Sequence, residues 1–241
     1  VIFAPKGEIV TAKATPDGYT EVARVQIAER GSYTWPSYAD GNIFVRTLCL
    51  VFAFAWFNAQ GASLGDLVLA VNAVLLQMLH LLAYGLDGFA HAAEALVGSA
   101  VGRRSRAELR AAMRVTTLWA AATALGYALA YAGFADAIVA LLTTIEPVRV
   151  LARSYTPWIV LLPLVAVWSY QLDGIFIGAL YTREMRDAMI ASLLVFLAAS
   201  TIGLAAMGNH GLWLALAVFF VARALTLGAY LLRREFLVSP G

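Results

Sequence analysis

Six apolar runs, each of the roughly 18 to 25 residues that cross the hydrocarbon core of a bilayer, fill the chain from Ile43 onward. They run about Ile43 to Gln60, Leu67 to Leu86 with a helical continuation to Val101, Met113 to Ala132, Thr156 to Leu180, Ala188 to Met207 and Gly211 to Leu232. Lipid offers no partner to an unpaired backbone group, and the runs lack the period-two alternation of a barrel, so each is expected to be a helix. Composition agrees, since 61% of the 241 residues are hydrophobic and only 13% are charged, against about a quarter charged in soluble domains. The expected fold class is an all-α integral membrane lobe of six helices, preceded by a short β-rich segment. With 17 basic and 15 acidic residues, a net charge of +2 gives no footprint for nucleic acid. The single cysteine, Cys49, lies in an apolar run and permits no intrachain disulfide.

Arginine placement sets the expected orientation. If the first span starts in the cytoplasm, then Arg46, the group Arg103, Arg104, Arg106, Arg110 and Arg114, the pair Arg183 and Arg186, and the pair Arg233 and Arg234 all fall inside. Only Arg149 and Arg153 fall outside, so the positive-inside rule puts both ends of the lobe in the cytoplasm. The stretch Asp136 to Arg153, with Pro147 inside it, is expected to lie along the outer surface. Trp119, Trp158 and Trp213 read as interfacial anchors, and Arg223 either pairs with an acid or snorkels outward, the second being the expectation.

Residues 1–41 have a different character. Both lysines, Lys6 and Lys13, lie here, no Met opens the chain, and short β-prone runs alternate with turn signals at Pro16-Asp17-Gly18 and Asp40-Gly41. Three or four short strands are expected. On the string GEIVTAKATPDGYTEVARVQI, a tryptophan, a turn and ADGNIFVR, roughly the first 46 residues resemble the last blade of a quinoprotein-like β-propeller. A linker with fortuitous alternation is the plainer alternative. One blade cannot bury its faces without neighbours, so no independent function is expected of it.

Ionisable residues inside a bilayer face a lumen, pair with one another or titrate. In the second span Gln77, His80, Tyr84, Asp87, His91 and Glu94 recur at helical steps and form one polar stripe on an apolar helix. Asp87 and His91 are four apart and Glu94 is three further on, close enough on neighbouring turns to share a proton or a cation. The plainer reading has His91 and Glu94 facing solvent beside the arginine loop. A metal site built from His80, Asp87, His91 and Glu94 would need ligands from a second helix, and outside this span the only histidine is His210 at the edge of the last one. No metal is assigned.

The fourth span repeats part of this pattern, Tyr170-Gln171-Leu172-Asp173-Gly174 echoing Tyr84-Gly85-Leu86-Asp87-Gly88. Asp173 is the acid within this span, Ser169 shares its face, and Pro157 and Pro163 predict a kinked or interrupted helix that frees backbone groups toward a cavity. Asp173 reads as a functional carboxyl, the alternative being a helix-pairing contact. No P-loop, nucleophile elbow or paired zinc motif occurs, so an ATP-driven pump or a conventional hydrolase has no support in these residues.

On the strings VNAVLLQMLHLLAYGLDGFAHAAEALVGSAVGRRSR, LPLVAVWSYQLDGIFIGALYTREMRDAM and GNHGLWLALAVFFVARALTL, residues from about Asn42 to Arg234 resemble the C-terminal lobe of a MATE (multidrug and toxic compound extrusion) transporter of the DinF-like branch. The resemblance implies two pseudo-symmetric six-helix lobes with a substrate cavity between them. It also implies residence in the bacterial inner membrane, and export of small organic compounds, cationic ones foremost, driven by proton or sodium entry without a cofactor. Asp173 matches the family's acid in the fourth helix of this lobe and so belongs to its cation-responsive set. Asp87, His91 and Glu94 lie in the branch's own LDGFAHAAEALVG string, with Gln77, His80, Tyr84, Ser169, Tyr170 and Gln171 expected to line the cavity. The partner this implies is an N-terminal six-helix lobe, without which the chain is not expected to transport. The opening departs from the family, and a junction is expected at NIFVRTL. The alternatives are a lipid-linked oligosaccharide flippase of the same superfamily, against which the few basic side chains facing the lumen argue, or an inert membrane fragment of a truncated or fused reading frame.

Overall fold

The computed structural model describes residues 2–4, 8–15, 18–26 and 41–233. The chain divides into two compact units, Val1–Ala39 and Asp40–Gly241. In the first, β1 (Ile2–Ala4), β2 (Glu8–Thr15) and β3 (Gly18–Gln26) pair antiparallel in chain order, with a register shift between Thr11 and Ala12. Any fourth strand would fall on residues 27–40, which lie outside the described ones. The NIFVR string, shared by both resemblances, forms the first turns of a helix rather than a strand.

The second unit is a bundle of six helices: α1 (Asn42–Ser63), α2 (Asp66–Gly102), α3 (Arg106–Leu142), α4 (Glu146–Gly178), α5 (Thr182–Met207) and α6 (Asn209–Arg233). All six are long and apolar enough to span a membrane. The 37 residues of α2 and of α3 make rods of about 55 Å, well beyond the roughly 30 Å of hydrocarbon, so both project from it.

One expectation fails here. Asp136 to Arg153, expected to lie along the outer surface rather than cross, is continuous with two long helices, being the end of α3 and the start of α4 with a break at residues 143–145. The charges that suggested an interfacial segment are matched across the break, where Arg153 Nε lies 3.2 Å from Asp136 Oδ2. Of the kink or interruption expected at Pro157 and Pro163, the interruption is absent, since α4 stays helical past both.

Helices α2 and α4 cross so closely that a Cβ on Gly174 would collide with the Ala90 carbonyl, and one on Gly178 would stand 2.5 Å from the Glu94 carbonyl oxygen. This is small-residue packing, by which membrane helices associate where lipid is as apolar as the side chains. Each of the two helices ends in a left-handed residue, Arg104 at φ 53° and Leu180 at φ 63°, with Ser105 N donating to Ala100 O and Tyr181 N to Phe176 O.

The larger core gathers Phe57, Leu75, Leu79, Phe196, Trp213 and Phe219 from α1, α2, α5 and α6. Trp213 is fully buried, so it is no interfacial anchor. Its indole donates to Asn72 Oδ1 at 2.9 Å, and Asn72 and Asn209 exchange amide hydrogen bonds of 2.8 and 2.9 Å across α2 and α6. On the outside, Leu118, Leu129, Phe134, Leu141, Ile202 and Leu225 are all more than half exposed. That surface suits lipid and not water.

Candidate functional site

A charge centre forms where α1, α4 and α6 meet. Asp173 stands five residues before the end of α4, in a stretch so close to α2 that only Gly174 fits beside it. Its Oδ2 takes an ion pair from Arg46 of α1 and a second from Arg223 of α6. The three side chains are 6%, 21% and 2% exposed, in the order Asp173, Arg46, Arg223. Arg223 therefore does not snorkel to the surface. Removing a guanidinium from water within hydrocarbon costs several kcal/mol unless a carboxylate meets it, and here one does. Arg46, read in sequence as one more cytoplasmic charge, likewise turns inward.

Asp87 of α2 is half-buried and lies within electrostatic range of Arg46, Arg223 and His91. Among the described residues no ion-pair partner approaches it within 4 Å. Tyr170 joins the same field, acted on by Arg223, Arg46 and Asp87, while its ring stacks on Phe220 with centroids 6.1 Å apart. The centre thus holds two acids, two guanidiniums and a phenol drawn from four helices. With both acids ionised it is neutral, and a proton on Asp87 leaves it positive.

The polar stripe of α2 leads away from this centre. Gln77, His80, Tyr84 and His91 are exposed, Tyr84 by 76%, and Glu94 is intermediate. His80 Nδ1 lies 3.3 Å from Gln77 Oε1, with its ring 5.8 Å from that of Phe54 on α1. His91 Nδ1 lies 3.5 Å from Glu94 Oε2. Imidazole and carboxylate on consecutive turns can pass a proton along the helix surface.

Two of the expected cavity residues are engaged inside the bundle. Ser169 is fully buried and donates to the Ala166 carbonyl of its own helix at 2.8 Å. Gln171 Nε2 donates to Thr116 Oγ1 of α3 at 2.6 Å, which leaves its Oε1 buried without a partner. The sequence carries no sign that Arg46 or Thr116 belongs here, because their partners Asp173 and Gln171 lie 127 and 55 positions away on another helix. The one available signal was Arg223 itself, an arginine in the interior of an otherwise apolar run.

Comparison with known proteins agrees with this architecture. The chain is 40% identical over 205 residues to DNA damage-inducible protein F of Escherichia coli (strain K12), a match covering 85% of this chain and 44% of that protein. Its fold superposes on a solved structure of MATE in the bent conformation with a TM-score of 0.76 at 13% identity, covering 84% of this chain and 48% of that one. A MOP superfamily transporter from Pyrococcus furiosus, described as having a binding pocket of reverse polarity, gives a TM-score of 0.74 at 13% identity over 83% of this chain and 46% of that one. The chain spans a little under half the length of each of these relatives. The MatE family model matches residues 43–202, from α1 into α5, and the chain belongs to the MatE family of multi-pass membrane transporters.

Proposed function

We propose that this chain is the C-terminal lobe of a two-lobe secondary antiporter that exports small organic compounds across a bacterial inner membrane against proton or sodium entry. The observation that carries this reading is the buried Arg46, Asp173 and Arg223 triad with the unpaired Asp87 beside it. Ionised groups inside a membrane bundle are costly and mark ion or substrate routes. With the arginine-rich turn between α2 and α3 on the cytoplasmic side, both ends of the lobe are cytoplasmic. The strands β1, β2 and β3 are given no part in this activity.

In this reading Asp87 and Asp173 are the coupling carboxyls. A proton or sodium ion arriving at Asp87 cancels its pull on Arg46, and Arg46 is also the α1 partner of Asp173. Loading is thereby felt at the contact between α1 and α4. His91 and Glu94 extend the route along α2. Gln77, His80 and Tyr84, with Tyr170, offer hydrogen bonds and aromatic surface to a substrate held against a facing lobe, as alternating access between two repeats requires. Ser169 and Gln171, engaged within the bundle, are placed outside that surface. A flippase for an anionic pyrophosphate gains no support from the centre, because Asp173 engages both of its guanidiniums.

The test is efflux of a cationic dye from proteoliposomes under an imposed proton or sodium gradient. The chain alone is expected to be silent, and the chain joined to an N-terminal lobe is expected to export. Robust gradient-driven efflux by the isolated chain would overturn the two-lobe requirement.

A further inference from the structure

Two spaces open along the seam between α3 and α4, one toward each end, and they differ in charge. At one end a space of about 580 Å³ is lined by Arg110, Arg114, Thr117, Leu118 and Ala121 of α3 and by Trp168 of α4. At the other, a space of about 520 Å³ includes Arg153, Pro157, Leu161 and Leu164 of α4 and Ala132 of α3. The helices are antiparallel, so the two spaces follow one another along a single seam. Arg153 at the second end is neutralised by Asp136. Arg110 and Arg114 have no hydrogen-bond or ion-pair partner among the described residues, although Arg103, seven positions before Arg110, is paired with Glu108.

We infer that the Arg110 and Arg114 end of this seam binds an anionic membrane phospholipid, headgroup on the arginines and one acyl chain along Leu118, Ala121 and Trp168. Three features fit that occupant. Arg110 and Arg114 are four residues apart, so both guanidiniums point from one helix face and can converge on one phosphate. Met113 lies between the two arginines in the same lining, and beyond Arg114 and Thr117 the lining is wholly apolar from Leu118, about 6 Å past Arg114 along the helix axis, the sense in which a headgroup passes into its glycerol and acyl chains. Trp168, 48% exposed, offers an open aromatic face to the acyl chain from the α4 side of the space. The Arg153 end, where Asp136 pairs the arginine, supplies an internal contrast of similar size without the free charge.

The inference needs only that the bundle spans a bilayer, and holds whatever the lobe transports. Native mass spectrometry of the purified full chain, exchanged from phosphatidylglycerol or phosphatidylcholine into mild detergent, reads it directly. Wild type is expected to retain phosphatidylglycerol in preference to phosphatidylcholine. The double variant Arg110→Gln, Arg114→Gln is expected to weaken retention about thirtyfold, two interfacial arginines acting together. Ala121→Trp, which keeps both arginines and fills the acyl slot, is expected to lose the lipid as well. Arg153→Gln is expected to change nothing. Equal retention of the two lipids by wild type, or retention of phosphatidylglycerol by either groove variant at the wild-type level, would overturn the assignment.

Discussion

Arg223 of α6 and Asp173 of α4 form an ion pair inside the bundle with 2% and 6% of their side chains exposed. The pair joins α6 to α4, the helix that packs against α2 and α3, and Arg46 extends it to α1. Asp173→Ala would strand two guanidiniums, one of them fully buried, at an expected cost of about 3 to 5 kcal/mol. The folded fraction after heating in detergent measures it. The paired replacement Asp173→Leu with Arg223→Met is expected to recover much of the loss, since no unpaired charge remains on α4 or α6. Asp87→Asn, lacking an ion-pair partner, is expected to leave stability near wild type.

Asn72 carries three hydrogen bonds, to the two amide atoms of Asn209 and from the Trp213 indole. Asn72→Leu leaves Asn209 and the indole buried and unsatisfied, each at a cost of about 1 to 3 kcal/mol. Thermal denaturation followed by tryptophan fluorescence should show the drop, and the emission of Trp213 should shift with it.

The α2 and α4 crossing tolerates no side chain at Gly174, where the Ala90 backbone stands in the way, whereas nothing lies within 4 Å of a Cβ at Gly88. Gly174→Val is expected to abolish the monodisperse peak in size-exclusion chromatography, and Gly88→Val to preserve it. Loss of both would mean that residue volume anywhere on these helices is the problem, and the close approach would explain nothing.

Much of the lobe was legible in the sequence, for a definite physical reason. A bilayer imposes a minimum apolar length, so the six spans announce themselves, and the polar stripe of α2 follows from a period of 3.6. What the sequence does not carry is which face of one helix meets which face of another. Arg223 stands two and a half turns from the end of its run, a distance compatible with snorkelling. Only the position of Asp173 on α4 shows that it turns inward. Trp213 fails similarly: a tryptophan near a helix start suits an interface, but Asn72 waits 141 positions earlier to accept its N–H. The break at residues 143–145 was hidden because Asp136 and Arg153 look like surface charges until they are seen to pair across it.

The stripe of α2 should be wet. In a background with Cys49→Ser, a membrane-impermeant maleimide is expected to label Tyr84→Cys and His91→Cys, and to leave Leu129→Cys and Leu225→Cys unlabelled in vesicles. Leu129 and Leu225 are similarly exposed in the bundle, 64% and 67%, so protection there reports lipid and not packing. Equal labelling of all four positions would show that exposure alone, without any wet face, sets reactivity.

The central claim is that the charge centre couples ion entry to export. Its most direct measurement is gradient-driven dye efflux from proteoliposomes by the two-lobe protein, comparing wild type with Asp87→Asn and Asp173→Asn at matched folded protein. Coupling lost in both variants, with dye binding retained, is the result the account predicts. Efflux that follows the gradient as steeply in both variants as in wild type would contradict it, and would leave the Arg46, Asp173 and Arg223 triad as a contact that holds three helices together.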